Sequence, residues 1–188
     1  MSDGLDRELQ RELDARSAAG RRRHTVARDA QLLDFGSNDY LGFARDPELA
    51  AALAAAAHEH GAGAGAARLL GGTSGAHHAA EAAAANWLGA AAALLFPSGY
   101  QANVGLLTSL ADRRDVIVSD RDNHASLIDG ARLSRARTFV HEHLDRDDLE
   151  SALRAGRSAR RRFVVTEGVF SMRGDTPPLA AIDALCER

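Results

Sequence analysis

The chain has 188 residues, of which 45% are hydrophobic and 26% charged, and its formal net charge is −3. This balance is typical of one globular domain with a sizeable core, and it lacks the basic excess expected of a nucleic-acid-binding protein. No apolar stretch approaches the roughly 20 residues of a membrane span, so neither nucleic acid nor membrane is an expected partner. The single cysteine, Cys186, excludes a disulfide within the chain and, with the charged start of the sequence, predicts a cytoplasmic location.

Two helices are predicted before any strand. Leu5, Leu9 and Leu13 recur every four residues among charges, as in an amphipathic helix over residues 5–19. Asp46 followed by Pro47 predicts the start of a second helix, because Asp caps helices and Pro is favoured at the first helical position.

The segment "GAGAGAARLLGGTSGAHH", residues 61–78, is dense in glycine. Glycines allow sharp bends and close approach of another group, so the segment is either a flexible linker or an ordered binding loop. The interleaved arginine and leucines, and the helix that follows at once, favour the ordered loop. No strand precedes it, which argues against a dinucleotide-binding fingerprint.

From residue 90 onward, short apolar runs alternate with helical patterns. Strands are predicted at "AAALLF" (91–96), "DVIVS" (115–119), "RTFVH" (137–141) and "RRFVVTE" (161–167). Such alternation is typical of the α/β class, with a mostly parallel sheet covered by helices. Ligands of such sheets bind beyond the carboxyl ends of the strands, which directs attention to the strand-to-helix loops.

The first of these loops, "FPSGYQAN", contains Ser98, Gly99 and Tyr100 at a predicted helix start. Backbone N–H groups at a helix N-terminus suit a phosphate. The plainer alternative is that Ser98 is an ordinary N-cap. From the residues alone, the chain is an α/β enzyme or a binding domain for a phosphate-bearing ligand.

The second and third loops carry polar side chains at the same predicted edge. His124 follows one strand in "SDRDNHAS", and Glu167 and Ser171 follow another in "TEGVFSMRGDTPP". His124 is either a cap-region residue with a solvated ring or a side chain aimed at a ligand above the sheet. Glu167 alone could cap a neighbouring loop, and Ser171 alone could be a turn residue.

Histidines elsewhere do not predict a metal site. The sequence "HEH" occurs at residues 58–60 and again at 141–143, but no third ligand is placed near either pair. Solvated faces are the expected setting for both.

Five motifs in order carry a family resemblance: "SNDYLGF", "GAGAARLLGGTSGAHHAAEAAAANWLG", "LLFPSGYQANVGLL", "SDRDNHASLIDGARLS" and "VVTEGVFSMRGDTPPL". Together they resemble the pyridoxal-phosphate-dependent α-oxoamine synthases. The resemblance implies the fold type I of PLP-dependent transferases (aspartate aminotransferase-like), pyridoxal 5'-phosphate as cofactor, and a homodimer. It is strongest to the branch that forms 8-amino-7-oxononanoate in biotin biosynthesis, which condenses L-alanine with a pimeloyl thioester of CoA or acyl carrier protein.

The resemblance also implies roles for individual residues. His124 would be catalytic, stacking on the cofactor ring and lying against the substrate. The backbone of Gly99 and Tyr100 would hold the phosphate, Ser171 would lie near the phenolic side of the cofactor, and Arg21 would meet the acyl substrate. Three further positions would support the site: Ser98, Asn38 and Glu167.

Two departures from the family pattern stand out. Arg173 replaces the first aspartate of the usual "FSMDGD", in a turn expected to be exposed. All 23 basic residues are arginine, so the Schiff-base lysine is absent, as is the aspartate that pairs with the pyridinium nitrogen. Both come after the position of Arg188 in the family. The resemblance therefore implies about the first half of the enzyme, with an N-terminal helix and arm over residues 1–45 and an incomplete PLP-binding large domain over residues 46–188. We expect this part to be inactive and marginally stable by itself.

Alternatives remain within the family and outside it. The motifs are shared with 2-amino-3-ketobutyrate CoA ligase, 5-aminolevulinate synthase and serine palmitoyltransferase. A short binding subunit without catalytic activity is the alternative of a different class. An end inside a helix, without a C-terminal cap, argues against that alternative.

Overall fold

The computed structural model of the chain describes residues 3–27 and 32–187, which leaves Arg188 outside the described residues. Contacts divide the chain into two compact units, Met1–Ala62 and Gly63–Arg188. The predicted boundary at residue 45, between an N-terminal arm and a large domain, refers to the domains of a whole enzyme and stays a prediction. Within the described ranges, none of the helices is long and apolar enough to cross a membrane.

The first unit is helical. It contains α1 (Asp3–Ala18), a 3₁₀ turn (Phe43–Arg45) and α2 (Pro47–His60), and both helices confirm the sequence-based prediction. Asp46 caps α2 as expected, because its Oδ1 accepts hydrogen bonds from the N–H groups of Glu48 at 2.8 Å and Leu49 at 3.0 Å. None of the described residues between 4 and 62 is buried, so these helices have no core of their own.

The second unit alternates helices and strands. Its elements are α3 (Gly75–Leu88), α4 (Gly99–Leu110), β1 (Val116–Asp120), α5 (Ala125–Ser134), β2 (Arg137–His141), α6 (Arg146–Ala155), β3 (Arg162–Val165) and α7 (Leu179–Cys186). The strands form one parallel sheet in the order β2-β1-β3. The α/β class and the parallel sheet are therefore confirmed.

Helices cover both faces of this sheet. Ile117 points to one face, where it packs with Leu107 of α4 and Ala131 of α5. Val118 points to the other face, where it packs with Leu149 of α6. Both strand residues are fully buried, and burying a side chain of this size stabilises a fold by about 1.5–3 kcal/mol. Burial of β1 on both faces explains why its sequence is continuously apolar.

The predicted strand at residues 91–96 is wrong. Leu94 and Leu95 are 67% and 52% exposed, and no strand occurs in this segment of the described chain. The N–H of Leu95 donates to the carboxylate of Glu81 in α3 at 3.0 Å rather than to a neighbouring strand. An apolar run becomes a strand only where an adjacent edge supplies hydrogen-bond partners.

The glycine-rich segment is ordered by a clasp between Arg68 and Glu81. The guanidinium of Arg68 donates two hydrogen bonds to the Glu81 carboxylate, at 2.8 and 3.2 Å, and a third to the Thr73 hydroxyl at 3.1 Å. At Gly72, a Cβ would lie 1.9 Å from the carbonyl oxygen of Ala66, so only glycine fits. The order of this loop is confirmed, and its binding role stays a prediction.

Candidate functional site

The carboxyl end of β1 is tied to that of β3 by Asn123. Its side-chain amide donates to Ser119 Oγ at 2.9 Å and to the carbonyl oxygen of Val165 at 2.7 Å. Asn123 is only 5% exposed, and the two bonds replace the water that its amide nitrogen has lost. The turn that leads into α5 is thereby fixed above the sheet edge.

His124 follows directly and is the N-cap of α5. Its Nδ1 accepts the backbone N–H of Ser126 at 3.1 Å, and Ser126 Oγ lies 2.7 Å from the same nitrogen. Its own backbone N–H donates to Glu167 Oε1. His124 is therefore a cap whose ring is held on one side and exposed on the other. Glu167 thus caps a neighbouring loop, which is the structural role that the sequence also allowed for this residue.

The N-terminal halves of α4 and α5 are bonded to each other. Asn103 Nδ2 donates to Ser126 Oγ at 2.9 Å, and the Tyr100 hydroxyl donates to Asp129 Oδ2 at 2.8 Å. The bond to Asp129 raises the pKa of Tyr100, with desolvation acting in the same direction. Gly130 permits the close packing, because a Cβ there would lie 3.0 Å from Leu107 and 3.1 Å from the Asn103 carbonyl oxygen.

The first turn of α4 offers unused backbone donors. Ser98 Oγ accepts the N–H of Gln101 at 3.2 Å, which makes Ser98 the predicted N-cap. Among the described residues, the N–H groups of Gly99 and Tyr100 have no acceptor. A Cβ at Gly99 would meet nothing within 4 Å. Two amide N–H groups without an acceptor at the positive end of a helix dipole fit a phosphate group.

His143 holds three loops of the sheet edge together. Its Nδ1 lies 2.9 Å from Asp120 Oδ1 at the end of β1, and its Nε2 lies 3.2 Å from Asp175 Oδ2 in the loop after β3. The ring packs edge-on against Phe170, with centroids 4.5 Å apart. The hydrogen bond to Asp120, above all, raises the pKa of His143. The prediction of a solvated face at 141–143 is wrong here, because the His143 side chain is only 10% exposed.

Asp120 is 2% exposed but keeps its charge. Burial raises its pKa, and hydrogen bonds from the Asp122 N–H, the His143 ring and the Leu144 N–H more than offset that effect. The result is a lowered pKa, so the carboxylate is an anion to which His143 can donate.

Ser171 and Arg173 lie in the loop that His143 anchors through Asp175. Both are exposed, as predicted for Arg173. Arg173 Nε pairs with Asp122 Oδ2 at 2.9 Å and so bridges the loops after β3 and β1. The residue that departs from the family pattern therefore has a structural partner.

Arg21 and Asn38 belong to the first unit and are exposed. Arg21 lines an open concavity with three further basic residues, which are Arg16, Arg22 and Arg23. This basic setting suits an anionic ligand. The roles of Arg21 and Asn38 stay predictions.

Sequence reasoning missed four side chains that organise this edge: Asn103, Ser126, Asn123 and His143. Asn123 precedes His124 directly, and that adjacency could have revealed it. Asn103 and His143 act across elements, and their partners lie too far away in sequence for spacing to reveal. Ser126 combines a distant partner, Asn103, with a local one, His124. In the described part of the chain, no three metal-ligating side chains are grouped as a metal ion would need.

Residues 30–188 match the family described as aminotransferase class I and II. The chain belongs to this family. Two relatives are named 8-amino-7-oxononanoate synthase: that of Nitrosomonas eutropha is 51% identical over 84% of this chain and 40% of its own. That of Anaeromyxobacter sp. is 45% identical over 96% of this chain and 48% of its own. The chain thus spans about half the length of the curated relatives that it matches.

Solved structures of this aminotransferase family share the fold. A serine palmitoyltransferase of S. paucimobilis with a bound PLP–myriocin aldimine matches with a TM-score of 0.78 and 34% identity, over 81% of this chain and 38% of its own. An 8-amino-7-oxononanoate synthase of Francisella tularensis matches with a TM-score of 0.71 and 27% identity, over 84% of this chain and 43% of its own. The predicted fold of PLP-dependent transferases and the resemblance to 8-amino-7-oxononanoate synthases are confirmed, for a partial domain.

Proposed function

We propose that this chain forms part of an 8-amino-7-oxononanoate synthase. The reaction joins L-alanine to a pimeloyl thioester, of CoA or acyl carrier protein, with release of CO₂ and the free thiol. The observation that carries the proposal is the pair of bonded helix N-termini, with the free amides of α4 on one and His124 on the other. The names of the relatives supply the choice of reaction.

Pyridoxal 5'-phosphate, when bound, supplies an electron sink for a carbanion next to nitrogen. In this proposal the N–H groups of Gly99 and Tyr100 hold its phosphate, with Ser98 ordering the first turn. The planar ring of His124 stacks on the cofactor and contacts the substrate. Glu167 keeps the His124 loop in place, and Ser171 contacts the cofactor from the loop after β3.

Two residues of the first unit receive proposed roles from the family resemblance. Arg21, in its basic concavity, binds the acyl substrate, whose carrier or far carboxylate is anionic. Asn38 supports the site. We propose the homodimer as the working form of the whole enzyme.

The 188 residues contain no lysine and so no amine side chain that could hold the cofactor covalently. We propose that the chain alone does not turn over substrate. The reason is the absence of lysine from these 188 residues, and an assay of the chain beside a complete synthase tests the proposal. Turnover by the lysine-free chain would overturn the statement.

The experiment that tests the function is an assay of the protein encoded by the natural gene, with L-alanine, glycine and L-serine as parallel substrates. Release of free thiol from pimeloyl-CoA with L-alanine, and little with the others, is the expected result. A preference for L-serine with a long-chain acyl-CoA would favour a serine palmitoyltransferase, which the structural match to that enzyme makes the second candidate. A preference for glycine would direct the assignment to 5-aminolevulinate synthase or 2-amino-3-ketobutyrate CoA ligase.

No activity with any of these, from a protein of the chain's own length, would favour the non-catalytic binding subunit.

A further inference from the structure

We propose that Asn103 and Ser126 are positioning residues that fix the orientation and the tautomer of the His124 ring. The inference rests on the proposed function, since His124 matters only if it contacts cofactor and substrate. The three side chains form a chain of hydrogen bonds from α4 to the first turn of α5.

The backbone N–H of Ser126 is the first of two donors that favour one tautomer of the His124 ring. This N–H can only donate, and it points at His124 Nδ1 across 3.1 Å. Nδ1 must therefore present a lone pair, and in the neutral imidazole the proton resides on Nε2. Among the described residues Nε2 has no partner, so it is the nitrogen left for another molecule.

The Ser126 hydroxyl reinforces the same tautomer. Its oxygen lies 2.7 Å from Nδ1, and because Nδ1 accepts, the hydroxyl donates. Ser126 is 1% exposed, so no solvent takes over either bond.

Asn103 sets the direction of the hydroxyl. Its amide nitrogen lies 2.9 Å from Ser126 Oγ and donates into a lone pair of that oxygen. The hydroxyl hydrogen is then free to point at His124. Both side-chain hydrogen bonds run in the same direction, from Asn103 to Ser126 and from Ser126 to His124, so each polarises the other in the same sense.

The close packing of the two helices keeps the three hydrogen-bonded side chains aligned. A Cβ at Gly130 would lie 3.1 Å from the Asn103 carbonyl oxygen, so the backbone of α5 lies close against α4 at the level of Asn103. Asn103 is one turn beyond Gly99 on α4. The ring of His124 is thus oriented by the helix whose first turn offers the free amides.

The test reads the tautomer directly by long-range ¹H–¹⁵N NMR of the ¹⁵N-labelled 188-residue chain, without cofactor. His124→Gln identifies the resonances of His124. The wild-type ring is expected in a single Nε2–H form. Ser126→Ala keeps the backbone N–H and removes only the hydroxyl donor, so both ring nitrogen resonances should move part of the way toward the average of the two tautomers. Ser126→Thr, which keeps the hydroxyl, should restore them.

Asn103→Asp tests the direction of the hydrogen bond to Ser126 separately from the shape of the side chain at residue 103. A carboxylate at residue 103 accepts the Ser126 hydroxyl hydrogen, so the hydroxyl no longer donates to His124, while the size of the side chain is unchanged. The expected result is the same shift as in Ser126→Ala. Ser151→Ala, at an exposed serine of α6, is the control and should leave His124 unchanged.

Ring resonances that stay at their wild-type values in both Ser126→Ala and Asn103→Asp would overturn the proposal. The readout needs no cofactor, so failure of the chain to bind pyridoxal phosphate would count against the proposed function alone.

Discussion

The ring of His143 bonds through Nδ1 to the carboxylate of Asp120 at 2.9 Å, which joins the residues after β2 to the last residue of β1. Its other nitrogen reaches Asp175. A protonated ring can donate to both carboxylates at once, whereas a neutral ring can donate to only one. The loop that carries Glu167 and Ser171 is therefore anchored by a charge.

This anchor predicts a pH dependence. The folded-state pKa of His143 is raised above its usual 6.5, so its contribution to stability is full below pH 6.5 and is lost as pH rises through the raised pKa. The protection factors of the amides at 167–175, which correct for the intrinsic rise of exchange with pH, should fall over that window. His143→Gln should have low protection factors that do not change over the window, whereas His60→Gln in the first unit should behave as wild type. An unchanged pH profile in His143→Gln would contradict this role.

The clasp of the glycine-rich loop should resist acid. Hydrogen bonds from Arg68 are the largest of the effects that lower the pKa of Glu81 to about 2. A depressed carboxylate pKa gives stability that is present above its unfolded value and lost as pH falls through the folded value. The amide resonances of Gly71 and Gly72 should therefore keep their positions until the pH approaches 2.

Removal of the clasp tests the same contact at neutral pH. Arg68→Met should broaden or shift the resonances of Gly71 and Gly72, because it removes the bonds from the Arg68 guanidinium to Glu81 and Thr73. Arg45→Met, an exposed arginine outside the loop, is the control. Loop resonances that are identical in Arg68→Met and wild type would show that the glycines are ordered without the clasp.

The free amide at Gly99 predicts a selective loss of phosphate binding. Gly99 is the first residue of α4 after the Ser98 N-cap, where proline is tolerated and removes only the N–H. A hydrogen bond to a charged group contributes about 1.5–3 kcal/mol, so Gly99→Pro should weaken binding of pyridoxal phosphate at least about tenfold. Equilibrium dialysis with pyridoxal, which lacks the phosphate, should show no change.

Gly75→Pro is the matched control, since Gly75 occupies the same position in α3 after the Ser74 N-cap. Equal weakening by both variants would mean that the effect comes from the fold and not from the amide.

The central strand should dominate stability. Ile117 is fully buried, and truncation of such a side chain costs about 2–5 kcal/mol. Ile117→Ala should therefore lower the free energy of unfolding, measured in urea, by that amount. Val140 on β2 is 60% exposed, and Val140→Ala should change the free energy of unfolding by no more than about 0.5 kcal/mol. Similar values for the two variants would contradict the two-faced core.

Local signals predicted the local features of this fold. Asp46 and Pro47 specify the start of α2 by capping chemistry, and the apolar run of β1 reflects burial on both faces. The run at 91–96 has the same composition as a strand, but pairing depends on a neighbour that composition cannot reveal. His143 was misjudged for a related reason, since its carboxylate partners lie on two other loops.

The residues of the candidate site also include some that the sequence indicated and some that it did not. The family resemblance assigns roles to Gly99, His124 and Ser171, and these roles stay predictions. Asn103 and Ser126 lie in the same motifs, but their hydrogen bond is a contact between two helices, which the sequence does not reveal.

The order of the strands has a consequence for how the chain assembles. β1 comes first in sequence and lies between its two partners, with Val116 paired to Arg137 of β2 and to Arg162 of β3. The cost of closing a loop grows with its length, and distant pairings form late. The β1–α5–β2 unit should therefore form before β3 docks. The turn bearing His124 would then be built early, and the carboxylate of Glu167 would reach its backbone N–H in the last step.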